Sequence, residues 1–129
     1  MDSSFQKLNA FDRAFFTAAF WTAGDPPVGF MQVSRDNDEP NALWKLLDRV
    51  NKKTLLYNLH NWRVTHEDLL AQSGTEGQNG RDLWLTQGNY GSGFWDRGYS
   101  EELDDQLCEA AHEFGPLDCY IDDDRVSIE

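Results

Sequence analysis

Between Phe5 and Ala19 the apolar residues Phe5, Leu8, Phe11, Phe15, Ala18 and Ala19 return every three or four positions, a spacing that only a helix can gather on one face. This pattern predicts a first helix beginning after a cap at Asp2, Ser3 or Ser4 and stopped by Gly24-Asp25-Pro26-Pro27. Residues 28–40 mix short apolar pieces with turn formers and read as an irregular connection ending at Pro40. A second helix follows from Asn41, with Leu43, Trp44, Leu46, Leu47 and Val50 inward. A third is expected over residues 54–72, with Leu55, Leu59, Trp62, Leu69 and Leu70 inward and a break near Val64-Thr65.

The run Ser73 to Gly80 has the composition of a loop, and beyond it the period changes. Asp82 to Thr86 reads as a strand, Gln87 to Ser92 as a glycine-bearing hairpin connection and Gly93-Phe94-Trp95 as the partner strand. A last helix starts from a Ser100 cap, carries Leu103, Leu107, Ala110, Ala111 and Phe114 on one face, and stops at Gly115-Pro116. Leu117 to Ile121 and Arg125 to Ile128 then read as two strands around Asp122-Asp123-Asp124. The sum is an α+β fold: a helical N-terminal half packed on a small antiparallel sheet of three to four strands, with a C-terminal acidic helix. At 129 residues the chain suits one domain, and eight Phe and five Trp supply a core large enough to offset ordering entropy.

No apolar run approaches the roughly 20 residues that span a bilayer, and the first residues lack the basic and apolar parts of a secretion signal, so a cytoplasmic location is expected. Cys108 and Cys119 match no zinc or redox spacing and read as small core residues. His60, His66 and His112 share no helical face, which leaves no local metal site. The aspartates at 122–124 lack the alternating ligands and closing glutamate of a calcium loop. Gly88 to Gly93 lacks the lysine of a phosphate loop, and Ser92 has no identifiable base. Neither a catalytic residue, a metal nor a cofactor is expected from these patterns.

Phe94-Trp95-Asp96-Arg97-Gly98-Tyr99 sets aromatics beside an acid and a base, types enriched in pockets and interfaces. Trp95, Asp96, Arg97 and Tyr99 therefore form a candidate pocket, against the plainer reading of turn capping. The second candidate is electrostatic. Twenty-three acids face eleven bases for a net charge of −12, which disfavours direct contact with nucleic acid and favours a basic protein surface. Residues 97–129 hold eleven of those acids against Arg97 and Arg125 alone, and so nine of the twelve net charges. On the last helix Glu101, Asp105, Glu109 and Glu113 recur every four residues, about 6 Å apart along the axis. Such neighbours oppose helix formation, so folding alone does not call for them. With Asp104, Asp122, Asp123 and Asp124 they form the candidate partner-binding surface, a line of carboxylates like a phosphate backbone. The alternative is a solvated face that aids solubility.

Asp82-Leu83-Trp84-Leu85-Thr86, Gly91-Ser92-Gly93-Phe94-Trp95-Asp96-Arg97-Gly98, Phe114-Gly115 and Tyr120 to Asp124 together resemble a family of small proteins of bacteriophages and related mobile elements. Phe11 to Trp21 is similar to the family's N-terminal stretch, while Asp124-Arg125 stands where the family's acidic turn closes on glycine. The resemblance implies a setting, an infected bacterial cell, and no chemistry. The expectation is an acidic protein that binds and inhibits or modulates a host nucleic-acid-handling protein, in the manner of anti-restriction or anti-CRISPR proteins. The alternatives are an enzyme using Asp96 and Arg97, or a homo-oligomeric, for instance dimeric, assembly protein.

Overall fold

A computed structural model of the chain describes residues 4–23, 39–122 and 125–129, the side chains of Ser4, residues 39–42 and Asp122 excepted. The element order is α1 (Ser4–Lys7), α2 (Ala10–Thr22), α3 (Glu39–Leu46), α4 (Arg49–Thr65), α5 (Glu67–Ala71), α6 (Glu76–Gln87), a 3-10 turn (Phe94–Arg97), α7 (Glu101–Phe114), β1 (Cys119–Asp122) and β2 (Arg125–Ile128). The fold is mostly helical. Its described sheet is a single antiparallel pair, with Cys119 opposite Ile128 and Asp122 opposite Arg125, in place of three to four strands. Because that pair follows α7, the acidic helix is not the last element.

The first apolar stripe is divided between two helices. Asn9 is extended, at φ −67° and ψ 167°, and its side chain accepts the Asp12 amide at 2.8 Å, capping α2. The cap expected at Asp2 or Ser3, the stop at Gly24 to Pro27 and the connection over residues 28–38 lie outside the described residues. The second break falls at Leu47-Asp48, where Asp48 accepts the amides of Val50 and Asn51 and opens α4. Val50 consequently turns outward and is 70% exposed, against the inward placement expected of it. The third break comes at His66, one residue beyond the expected site.

The largest departure covers residues 73–98. Thr75 accepts the Gln78 amide at 3.2 Å and starts α6, which runs through both the expected loop and the expected strand. Every residue from Asn79 to Gln87 except Arg81 is buried, so no alternation of burial survives for a strand to use. Gly80 lies against α2 so closely that a Cβ there would fall on the Phe11 carbonyl. Gly80 thus permits a close helix crossing. The expected hairpin is absent: Gly93, at φ 149°, sits over Thr86, whose hydroxyl accepts the Phe94 amide at 3.1 Å.

Phe15 is the hub of the core, meeting Phe16, Trp84 and Phe114 edge-on at centroid distances of 5.3, 5.3 and 5.7 Å. Two indole groups find polar partners: Trp62 Nε1 donates to the Ala110 carbonyl at 2.9 Å and Trp84 Nε1 to Thr22 Oγ1 at 2.6 Å. The β pair is fastened to α4 by Asn51, which donates to the Ile128 carbonyl and accepts its amide, both at 2.9 Å. It is fastened to α6 by buried Gln87, whose Oε1 accepts the Leu117 amide at 2.6 Å while Nε2 donates to the Leu117 carbonyl at 3.1 Å. These contacts hold α7 and α6 against the same core and leave their outer faces to solvent. Among the described residues no helix is long and apolar enough to cross a membrane.

Candidate functional site

Helix α7 begins at Ser100, whose hydroxyl accepts the Leu103 amide at 3.2 Å, and buries Leu107, Ala110 and Ala111. Burying that stripe forces the opposite face outward, and Glu101, Glu102, Asp105, Glu109 and Glu113 are all exposed. Asp104 departs from the set: it is half-buried and accepts a weak bond from the Cys108 thiol at 3.6 Å. The Asp122 side chain and all of Asp123 and Asp124 lie outside the described residues.

The ion pairs of the described residues lie elsewhere, joining Arg63 to Glu76 at 3.3 Å and Arg97 to Asp82 at 2.7 Å. Lys52 and Arg63 lie over the rings of Trp44 and Phe11, at 4.8 and 4.6 Å from the centroids. Arg63 is committed to Glu76, away from α7. His112, in the last turn of α7, sits 3.2 Å from Asn89 Oδ1.

The Trp95, Asp96, Arg97 and Tyr99 group does not assemble into one pocket. Asp96 turns back on its own turn and accepts the Gly93 amide at 3.0 Å. Arg97 reaches fully buried Asp82 through two bonds, Nε to Oδ2 at 2.8 Å and Nη2 to Oδ1 at 2.7 Å. The Tyr99 hydroxyl accepts from the Gly74 amide and from Gln78 Nε2, both at 2.9 Å. Trp95 stands at the surface, 39% exposed. Two of the four side chains, Arg97 and Tyr99, therefore fasten the 92–99 segment to α6, while Asp96 closes the segment's own turn. Arg97 alone among them borders a groove of about 970 Å³ between α2 and α6.

That groove was not legible in the sequence, because its α6 wall lies in residues that read as a loop at Gly77 and Gln78 and as a strand at Leu85. Its α2 wall is the outward face Ala10, Arg13, Ala14, Thr17, Ala18 and Trp21, and its α6 wall is Gly77, Gln78, Arg81 and Leu85. A smaller cavity of about 510 Å³ lies on the other side of α6, where Arg63 and Glu76 already pair and His60 and Asn79 line the wall.

The thiols are unsuited to nucleophilic work. Burial, with Asp104 adding to it, pushes Cys108 up to about 11, and burial pushes Cys119 up to about 12. Cys108 is half-buried, so only Cys119 is a full core residue. Among the described residues no group of three or more His, Cys, Asp or Glu side chains is placed to hold a metal ion. No protein-family model matches the chain, and no curated protein and no solved structure matches it either.

Proposed function

We propose that this is an acidic binding protein that occupies a basic surface on another protein through the outer face of α7. The observation that carries the reading is the exposed row Glu101, Asp105, Glu109 and Glu113, with no described ion pair to the chain's own lysines and arginines. Neutralisation by internal cations would leave only a solubilising face. Fixed carboxylates on a packed helix meet a cationic groove without first paying for ordering, and their contact releases counterions from both sides. A nucleic-acid channel in a host enzyme is the partner of matching chemistry, and the resemblance to phage and mobile-element proteins supports that setting. In this reading the protein is a stoichiometric inhibitor or modulator, acts inside the host cell, and needs no cofactor.

The test is a pull-down of DNA-handling host proteins by the purified chain, washed at rising salt, with Asp105→Lys/Glu109→Lys as the comparison. Capture of a basic-channel protein that falls steeply with salt and disappears in the double variant is the expected result. Capture that ignores both salt and charge reversal overturns the reading.

A second reading, a homo-oligomer, is favoured by one feature of α4. Val50, Tyr57 and Val64 recur every seven residues on its outer face and are 70%, 67% and 59% exposed, a seam of the kind a second helix covers. Light scattering across concentration decides it, since a monomer at every concentration removes the seam as an interface.

A further inference from the structure

The groove between α2 and α6 inverts the electrostatics of the rest of the molecule. Acids outnumber bases by 23 to 11 in the chain, yet every charged residue bordering the groove among the described residues is an arginine: Arg13, Arg81 and Arg97. Arg97 is committed to Asp82 through Nε and Nη2, but Arg13 and Arg81 stand in no described ion pair. Arg13 is steadied by a bond from Nη1 to the Gln6 carbonyl at 3.3 Å, so α1 aims one cation rather than leaving it to sweep the solvent.

Between these cations the floor is apolar and low. Ala14 and Ala18 of α2 face Leu85 of α6, and their short side chains open the width that longer ones would fill. Trp21 stands at the end of this wall, 77% exposed, a large ring with nothing in the described fold to cover its face. Gln78 adds an acceptor. Its Nε2 is spent on Tyr99, leaving Oε1 with no internal bond.

We propose that this groove binds a small anion carrying a flat ring, of the mononucleotide class, with its phosphate between Arg13 and Arg81 and its base against Trp21. Guanidinium groups match phosphate oxygens two bonds at a time, which lysine cannot do, and an indole face offers a base the largest stacking area of any side chain. A groove of about 970 Å³ admits such a ligand whole. Size is set by the surrounding charge: with −12 on the chain, each further phosphate of a polynucleotide would leave the arginines and meet carboxylates. One phosphate is held at short range, where the two cations outweigh a field that salt screens within about 8 Å.

The experiment is calorimetric titration of the full chain with adenosine and uridine 5′-monophosphates, adenosine, and inorganic phosphate, with Arg81→Glu and Trp21→Ala as variants. Arg81 and Trp21 are exposed and hold no core contact, and melting curves matching the parent verify that both variants fold. Saturable one-to-one binding of the monophosphates is expected, weakened at least ten-fold by Arg81→Glu and several-fold by Trp21→Ala. Adenosine and inorganic phosphate should each bind at least ten-fold more weakly than the monophosphate that joins them. No saturable heat up to millimolar ligand overturns the proposal, as does binding indifferent to both variants or inorganic phosphate binding as tightly as a nucleotide. An acidic peptide that binds through Arg81 where the nucleotides do not would give the groove to a protein partner and equally overturn it. The Asp105→Lys/Glu109→Lys protein should keep its nucleotide affinity, which separates this site from the α7 surface.

Discussion

Asp82 and Arg97 meet across the junction between α6 and the 3-10 turn, with Nε 2.8 Å from Oδ2 and Nη2 2.7 Å from Oδ1. Asp82 is fully buried while the Arg97 side chain keeps 29% of its surface in solvent. The carboxylate is thus the member that cannot return to water. Arg97→Ala should cost about 2–3 kcal/mol, toward the low side of buried-pair loss because the arginine is partly solvated. Adding Asp82→Asn to Arg97→Ala should restore part of that loss, since no buried charge then remains. Urea unfolding of the two variants checks the order, and a double variant less stable than Arg97→Ala sinks the account.

Gly80 and Gly77 sit one turn apart on α6 and should respond oppositely to the same change. A Cβ on Gly80 would strike the Phe11 carbonyl, which is backbone and cannot rotate away, so Gly80→Ala should destabilise by about 1–3 kcal/mol. A Cβ on Gly77 would meet nothing within 4 Å, so Gly77→Ala should gain a few tenths to about 1 kcal/mol from helix propensity. Thermal melts of the pair read the sign directly.

The same two glycines explain what sequence could and could not convey. The apolar period of residues 5–19, the Ser100 cap and the final β pair each express a local pattern; the cap and the β pair appear as expected, and the period appears as helix, broken in two at Asn9. Residues 73–87 do not express one. When a helix is buried over most of its circumference, as α6 is from Asn79 to Gln87 apart from Arg81, its apolar residues lose their 3.6 period, and a glycine at a close helix crossing, such as Gly80, imitates a loop. The α7 carboxylate row was readable because it lies within one helix at four-residue spacing. The α2–α6 groove was not, because Arg13, Arg81 and Trp21 come together only through that crossing.

Asp12 offers a test through pH. Burial raises its pKa above the ordinary value of 3.8, outweighing the lowering by Arg63 and the Asn9 hydrogen bond, and its Oδ1 has no partner within the fold. The folded chain therefore holds this proton more tightly than the unfolded one. The contribution is fully present below pH 3.8 and is lost as pH rises through the folded value. Asp12→Asn removes the titration, so stability of the parent minus that of the variant should fall between pH 3.5 and 7. Denaturant unfolding at those two pH values measures it, and a difference that grows with pH contradicts the burial argument.

The α7 carboxylates should be a burden on the fold at one end and a help at the other. Glu113 lies in the last turn, where the helix dipole is negative, and stands four residues from Glu109. Glu101 lies in the first turn, where the dipole is positive and an acid is welcome. Glu113→Lys should therefore raise the melting temperature, by a few tenths to about 1 kcal/mol in stability, and Glu101→Lys should lower it by a similar amount. Both side chains are exposed and neither change disturbs packing, so the two shifts report electrostatics alone. Salt should shrink both, because the interactions are screened. If Glu113→Lys also weakens capture of a basic partner while strengthening the fold, the acid at that position costs stability and contributes binding. A Glu113→Lys protein no more stable than the parent would mean that the row carries no folding cost, and solubility would then suffice to explain it.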